Sequence, residues 1–323
     1  MAGTAGESSG PGEHEALARL RRLLPAPPEG EVWFGDDAAV LKAGPVAPFL
    51  LLATDTVVAG IDADLSLTTL SDLGWKAMAV NLSDIAAMGA NPSRAVVSVV
   101  GLGPAELESL YEGVLAAAGE YNCPVVGGDL SAGRQVVVSV AMTGTVDGPP
   151  VLRRGARPGD TIWVTGPLGA AAAGLRLLEE RRSEGGWRPW APVEEVLVRA
   201  HARPRPAVAA GATARRAGAT AMIDVSDGLV ADLGQLASQS GVGFELTEVP
   251  EAVGATLQEA LGGGDDYVLV FTMPPESGRA GPLQAFEAAG LPAPLLMGEC
   301  VADPFRQVLA GEAVHVGGWE HAF

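Results

Sequence analysis

Short stretches of this 323-residue chain repeatedly place an Asp where an apolar run gives way to glycine or to a helix. They are GDDAAV with Asp36 and Asp37, ATDTVV with Asp55, NLSDIAAMG with Asp84, VVGGDL with Asp129, IDVSDG with Asp224 and Asp227, and GGGDDY with Asp265 and Asp266. An isolated buried carboxylate is costly. Taken singly, each has an ordinary explanation: Asp37 opens a turn, Asp227 caps the helix that follows, and Asp265 sits in a Gly-rich hairpin. Asp84 fits such explanations least well, because Leu82, Ile85, Ala86 and Met88 surround it and few cations lie near it in sequence. Several carboxylates at strand ends without matching cations call for a metal ion to supply the positive charge. Oxygen-only ligands, with no His or Cys cluster, select Mg2+.

Carboxylate-held Mg2+ commonly completes its shell with water and substrate phosphates, which makes a nucleotide the first candidate ligand. The chain has no GxxxxGK[ST] loop and no strand-linked GxGxxG, so neither a P-loop nor a Rossmann nucleotide site is expected. Its only lysines are Lys42 and Lys76. A kinase so poor in lysine must neutralise a triphosphate largely with metals, which accounts for the acids.

Composition narrows the partners. The formal net charge of -18 disfavours broad contacts with DNA, RNA or an anionic membrane, which need clustered Lys and Arg. No apolar run approaches the ~20 residues of a membrane-spanning helix. Cys123 and Cys300 have neither disulfide-framework nor zinc-ligand spacing. A reducing, cytoplasmic location is expected, and the opening MAGTAGESSGPGE reads as a disordered tail over residues 1–12 rather than a signal peptide.

The elements that must position the acids alternate between strand and helix, the pattern of an α/β protein with mixed sheets. A helix is expected over His14 to Leu24, a buried strand in PFLLLATDTVV, and a helix from an N-cap at Ser71 to a stop at Gly89. Strand RAVVSVVGL, helix PAELESLYEGVLAAAGEY and strands CPVVGGDL and QVVVSVAMTGTV complete a first domain, residues 13–148. The Gly- and Pro-rich DGPPVLRRGARPGD marks the boundary, and residues 149–323 form a second α/β domain. Within it, GGWRPWAP reads as an irregular insertion, and strand TAMIDV hands Asp224 and Asp227 to helix GLVADLGQLASQ.

In combination, GDDAAV, TDTVVAG, DLGWKAMAVNLSDIAAMGA, VVGGD, RRGARPGD, IDVSDGLVADLG and GGDDY resemble the thiamine-monophosphate kinases, of the superfamily that includes aminoimidazole ribonucleotide synthetase. The resemblance runs in order from Gly35 to Trp319. It implies two α/β domains, with the N-terminal domains of a homodimer pairing into a β-barrel. It implies metal-binding positions at Asp37, Asp55, Asp84, Asp129, Asp224 and Asp227, with Thr54 adding an oxygen. Tyr111, Gly128, Asp129, Arg153 and Ser226 fall on positions that resemble ATP contacts; read without the resemblance, Tyr111 is a helix-packing Tyr, Gly128 a turn Gly, Arg153 a surface Arg and Ser226 a helix-start Ser. The implied reaction moves the γ-phosphoryl group of ATP to thiamine monophosphate. The acceptor oxygen is already anionic, so several Mg2+ ions and good positioning carry the step without a dedicated catalytic side chain.

The acceptor positions depart from the family pattern. Asp62 in AGID stands where the family has His, Val268 in DDYVL where it has Glu, and Ala53 where a hydroxyl residue is common. Trp319 matches an aromatic that packs on the thiamine moiety, or is an ordinary C-terminal anchor. Weakened acceptor binding with transfer retained is the expectation. Two other readings stay open: another phosphotransferase or synthetase of the superfamily, activating an amide or a selenide, and a silent Mg-nucleotide-binding dimer.

Overall fold

The computed structural model describes residues 29–32, 36–42, 49–185 and 188–314. The expected first helix, the tail over 1–12 and Trp319 lie outside these residues. The chain folds as two mixed α/β domains. The first holds strands β1 (Ala39–Lys42), β2 (Phe49–Val58), β3 (Asn91–Val100), β4 (Val125–Ser131) and β5 (Val137–Val146), with helices α1 (Leu70–Ala87) and α2 (Pro104–Glu120). Its sheet order is β1-β2-β5-β3-β4, antiparallel except for the parallel β3–β4 pair. Among the described residues this sheet is open, not a closed barrel. Alternation along β2 and β3 turns Leu51, Ala53, Ala95 and Val97 inward under the helices, while Leu52 and Val96 stand on the other, exposed face.

Helix α1 sits at the centre of the molecule. It is buried along most of its length, as expected of a helix packed on several sides. Its start lies two residues before the expected Ser71: Thr69 Oγ1 accepts from Asp72 N at 3.1 Å and Asp72 Oδ2 accepts from Thr69 N at 3.2 Å, a reciprocal cap. Ser71 instead lies inside the first turn, where Arg203 Nη2 donates to its hydroxyl at 3.0 Å. A Cβ on Gly74 would lie 2.1 Å from the Leu110 carbonyl oxygen, and one on Gly113 would lie 1.7 Å from that of Ser71. Glycine on both helices therefore permits the close approach of α1 and α2.

The second domain holds β6 (Thr161–Val164), α3 (Ala170–Glu184), α4 (Pro192–Ala202), α5 (Val208–Arg216), β7 (Ala221–Asp224), α6 (Leu229–Ser240), β8 (Gly243–Leu246), α7 (Leu257–Gly262), β9 (Leu269–Met273), α8 (Ala280–Ala288), β10 (Leu295–Val301), β11 (Gln307–Leu309) and β12 (Glu312–Ala313). Its sheet runs β12-β11-β8-β10-β6-β9-β7. Leu229, Leu233 and Leu236 of α6 fill the core on one side. Another core joins Met222, Phe271 and Phe286 to Ala86 and Ala87 of α1. Helix α1 thus belongs to the cores of both domains, and its face sets how the two meet. The sequence does not predict helices α4, α7 and α8; Pro192, the last residue of the segment read as irregular, begins α4, with Glu194 accepting from Ala191 N at 2.8 Å.

Candidate active site

A cleft of ≈ 620 Å³ opens between the domains. Asp55 of β2 and Lys76 and Val80 of α1 line one wall; Asp224, Ser226 and Asp227 line the other. Strand β1 pairs only with the first part of β2, so the Asp55 N–H would have no strand partner; buried Asn81 of α1 accepts it at 3.0 Å. That bond fixes the backbone of β2 where Asp55 faces the cleft.

At one end, Asp37 before β1, Asp84 on α1 and Asp224 at the end of β7 bring one carboxylate oxygen each to within 4.8 Å of one another. Ser83 Oγ donates to Asp224 Oδ2 at 2.6 Å, tying α1 to β7. Burial, then the charges of Asp55, Asp224 and Asp37, pushes the Asp84 carboxyl well above the usual range. Burial and the Asp37 charge do the same to Asp224, against the Ser83 hydrogen bond. Asp36, beside them, rises to about 7 for the same first cause and through Asp37.

One cation is supplied by the protein, which sequence proximity did not reveal. Arg153 Nε donates to Asp37 Oδ2 at 3.0 Å, Nη2 to Asp37 Oδ1 at 2.7 Å, and Nη1 to Gln235 Oε1 at 2.8 Å. Burial works against the guanidinium charge, but Asp37, Asp224 and Asp36 outweigh it and raise the Arg153 pKa. A single guanidinium still leaves Asp37, Asp84 and Asp224 short of positive charge. Oxygen donors gathered this closely can hold a hard divalent cation, so the residues fit Mg2+.

The turn that delivers Ser226 and Asp227 is held by a residue the sequence did not single out. Buried Asp232, one turn into α6, accepts the N–H groups of Ser226, Asp227 and Gly228 on a single oxygen, at 3.0, 3.0 and 3.1 Å. Those N–H groups begin a helix and would otherwise favour an anion. With Asp232 occupying them, the turn presents carboxylates to the cleft instead. Burial, then the Asp227 charge, raises Asp232 to about 8.

The remaining predicted residues are distributed differently. Thr54 follows the strand alternation to the face opposite Asp55, and its hydroxyl donates to the Val140 carbonyl at 2.9 Å. Tyr111, Gly128 and Asp129 come together, but in a separate groove with Leu107 and Leu130 between α2 and β4. Asp62 lines the cleft while its Oδ2 accepts from Val58 N at 2.7 Å. Val268 packs against the core of the second domain and is not among the cleft-lining residues.

The far end of the cleft has its own polar group. Lys76 Nζ donates to Asp265 Oδ2 at 2.6 Å and to the Asp62 carbonyl at 2.9 Å, and Tyr267 Oη donates to Asp265 Oδ1 at 2.8 Å. Asp265 and Tyr267 both have left-handed backbones, φ 68 and 49, held by bonds from their N–H groups to the Ser226 and Val225 carbonyls. His201 of α4 lies against the same end.

Residues 35–146 match the family model of the AIR synthase related protein N-terminal domain, and residues 157–308 match that of the C-terminal domain. The chain is 39% identical over 279 residues to a thiamine-monophosphate kinase of Mycobacterium tuberculosis, covering 80% of each. It is 36% identical over 277 residues to that of Escherichia coli, covering 81% of this chain and 83% of the relative. A solved structure of AaThiL complexed with AMPPCP and TMP superposes with a TM-score of 0.83 at 31% identity, over 96% of this chain and 97% of the other. With both domains and the order of its acidic motifs accounted for, the chain belongs to the thiamine-monophosphate kinase family, built from the two AIR synthase related domains.

Proposed function

We propose that this protein transfers the γ-phosphoryl group of ATP to thiamine monophosphate, giving thiamine diphosphate and ADP. The observation that carries the reading is the convergence of Asp37, Asp84 and Asp224 at one end of an interdomain cleft, in a chain whose relatives include a structure complexed with AMPPCP and TMP. Asp37, Asp84 and Asp224, with Asp55 and Asp227 nearby, would hold Mg2+. When bound, the ion neutralises phosphate charge and aligns donor and acceptor for in-line attack.

The chain's own residues position the substrates. Ser226, Arg153, Tyr111, Gly128 and Asp129 are assigned to ATP, and Asp62, Val268 and Trp319 to the acceptor side. Thr54, whose hydroxyl is turned to the Val140 carbonyl, would give the metal an oxygen only by leaving that bond. Because the acceptor oxygen is an anionic phosphate oxygen, the step needs no strong general base, and no cleft residue is assigned that role.

The same reading divides the chain into residues 13–148 and 149–323, after a tail over 1–12, and makes the protein a homodimer. The exposed outer face of the first sheet, with Leu52 43% and Val96 41% exposed, supports a partner there. Tyr111, Gly128 and Asp129, apart from the main cleft within one chain, would then face the site through that assembly. Among the described residues no helix is long and apolar enough to cross a membrane. The buried, free Cys123 and Cys300 accord with a cytoplasmic location.

Incubating the full chain with Mg-ATP and thiamine monophosphate, followed by chromatographic separation, tests donor and acceptor together. Thiamine diphosphate and ADP in equal amounts are expected; binding of ATP with no product would favour the silent dimer.

A further inference from the structure

Helix α1 gives the cleft two chemically different ends. Lys76 precedes Asp84 by eight residues on the same helix, a span of about 12 Å at the rise of an α-helix. Asp84 belongs to the acidic cluster; Lys76 marks the other end. There, Lys76, Asp265 and Tyr267 are bonded to one another, and Asp62 has turned one carboxylate oxygen to the Val58 N–H.

His201 differs from these neighbours. It is 7% exposed and lines the cleft, yet its imidazole makes no hydrogen bond to another described residue. An imidazole at the cleft wall can exchange water for a hydrogen bond from a ligand. Burial first, and the Lys76 ammonium second, hold its pKa below the usual 6.5, against the opposing pull of Asp265. A neutral imidazole offers one N–H donor and one nitrogen acceptor. That pair suits an uncharged ring bearing amino and aza groups better than it suits a phosphate.

The surroundings agree with a flat ring on a cationic stem. Ile61, Leu67 and Leu175 supply apolar walls, and Asp62 and Glu179 add negative charge. Arg182 pairs with Asp64 at 2.7 Å, while the Lys76 charge is met by Asp265.

We propose that His201 is a specificity-determining residue for the acceptor, hydrogen-bonding its amino-substituted nitrogen heteroaromatic ring while the acceptor's phosphate reaches the Asp84 and Asp224 end. This rests on the phosphotransfer reading above and adds a contact from α4, an element the acidic motifs do not include.

The test compares the full-length wild type with His201→Phe and His201→Asn. Each is assayed with thiamine monophosphate and with an analogue whose aminopyrimidine is replaced by a phenyl ring. His201→Phe should raise the KM for thiamine monophosphate about tenfold, with a smaller fall in kcat and the KM for ATP within about twofold of wild type. His201→Asn should recover part of the loss. The phenyl analogue should be used poorly by all three proteins, with no added penalty from either substitution. Melting temperatures and ATP binding report folding, and should His201→Phe fail to fold, His201→Asn carries the comparison through its smaller penalty. A wild-type KM in the substituted protein, or an equal loss on the phenyl analogue, overturns the inference and leaves the kinase reading standing. A wild-type chain that binds Mg-ATP but forms no thiamine diphosphate overturns both.

Discussion

Arg153 grips both carboxylate oxygens of Asp37, at 3.0 Å through Nε and at 2.7 Å through Nη2, and the Asp37 side chain is fully shielded from solvent. This fork ties the segment ahead of β1 to the link that enters the second domain. Replacing Arg153 with Met leaves Asp37 buried and unpaired beside Asp84 and Asp224. In metal-free buffer the loss should be about 3–5 kcal/mol. Mg2+ should return part of it, because an ion that binds only the folded chain stabilises that chain by mass action. Urea unfolding with EDTA and with Mg2+ measures both quantities; a deficit that Mg2+ leaves untouched would count against a cation at this cluster.

Asp84→Asn and Asp55→Asn address the reaction more directly. Each keeps the side-chain volume and removes a charge from the cleft. Transfer should fall roughly a hundredfold or more at ordinary Mg2+, with the far-UV circular dichroism spectrum unchanged. Near-wild-type turnover in both variants would remove the metal cluster from the account.

The buried carboxyls also set a pH dependence. Asp232 rises from 3.8 to about 8 and Asp36 from 3.8 to about 7, burial being the first cause of both. Across that interval the folded chain binds more protons than the unfolded chain, so folding stability declines as pH rises. The contribution is fully present below the unfolded value and lost as pH passes through the folded one. Metal-free protein should therefore be less stable at about pH 8 than at about pH 5, and Asp232→Asn should flatten the decline. Thermal melts across this range check it; an unchanged slope in the variant would show that Asp232 is not the group responsible.

Leu52 on β2 and Val96 on β3 are 43% and 41% exposed on the outer face of the first sheet. Light scattering should give twice the chain mass, and Val96→Asp should give a folded monomer, since burying an unpaired charge at an interface opposes association. A wild-type mass that stays at one chain on raising concentration contradicts the dimer.

Much of this was legible in the sequence because its signals are local. The apolar run of β2 and the abrupt change after Asp224 gave strand and helix their places, and the acidic motifs pointed to Asp37, Asp84 and Asp224 before their convergence was seen. Arg153 was not legible as the partner of Asp37, because its fork closes across 116 residues of chain. Asp232 reads as an ordinary helix residue until the three N–H groups above it are located. Helix α4 escaped notice because Trp, Pro and Gly precede it, and the N-cap of α1 fell at Thr69 because Asp72 completes a reciprocal cap there. The sequence motifs also grouped Tyr111, Gly128 and Asp129 with the other ATP positions, whereas within one chain they occupy their own groove.

The central claim is that the acidic end of the cleft directs the γ-phosphoryl group of ATP onto the acceptor's phosphate. A single-turnover reaction with ATP labelled in its γ-phosphorus, excess enzyme, Mg2+ and thiamine monophosphate measures this directly. The account predicts label in the terminal phosphate of thiamine diphosphate, one equivalent of ADP, and formation of that product slowed roughly a hundredfold or more when Asp84→Asn replaces the wild type. Label released as inorganic phosphate without thiamine diphosphate, or full transfer by Asp84→Asn, would contradict it.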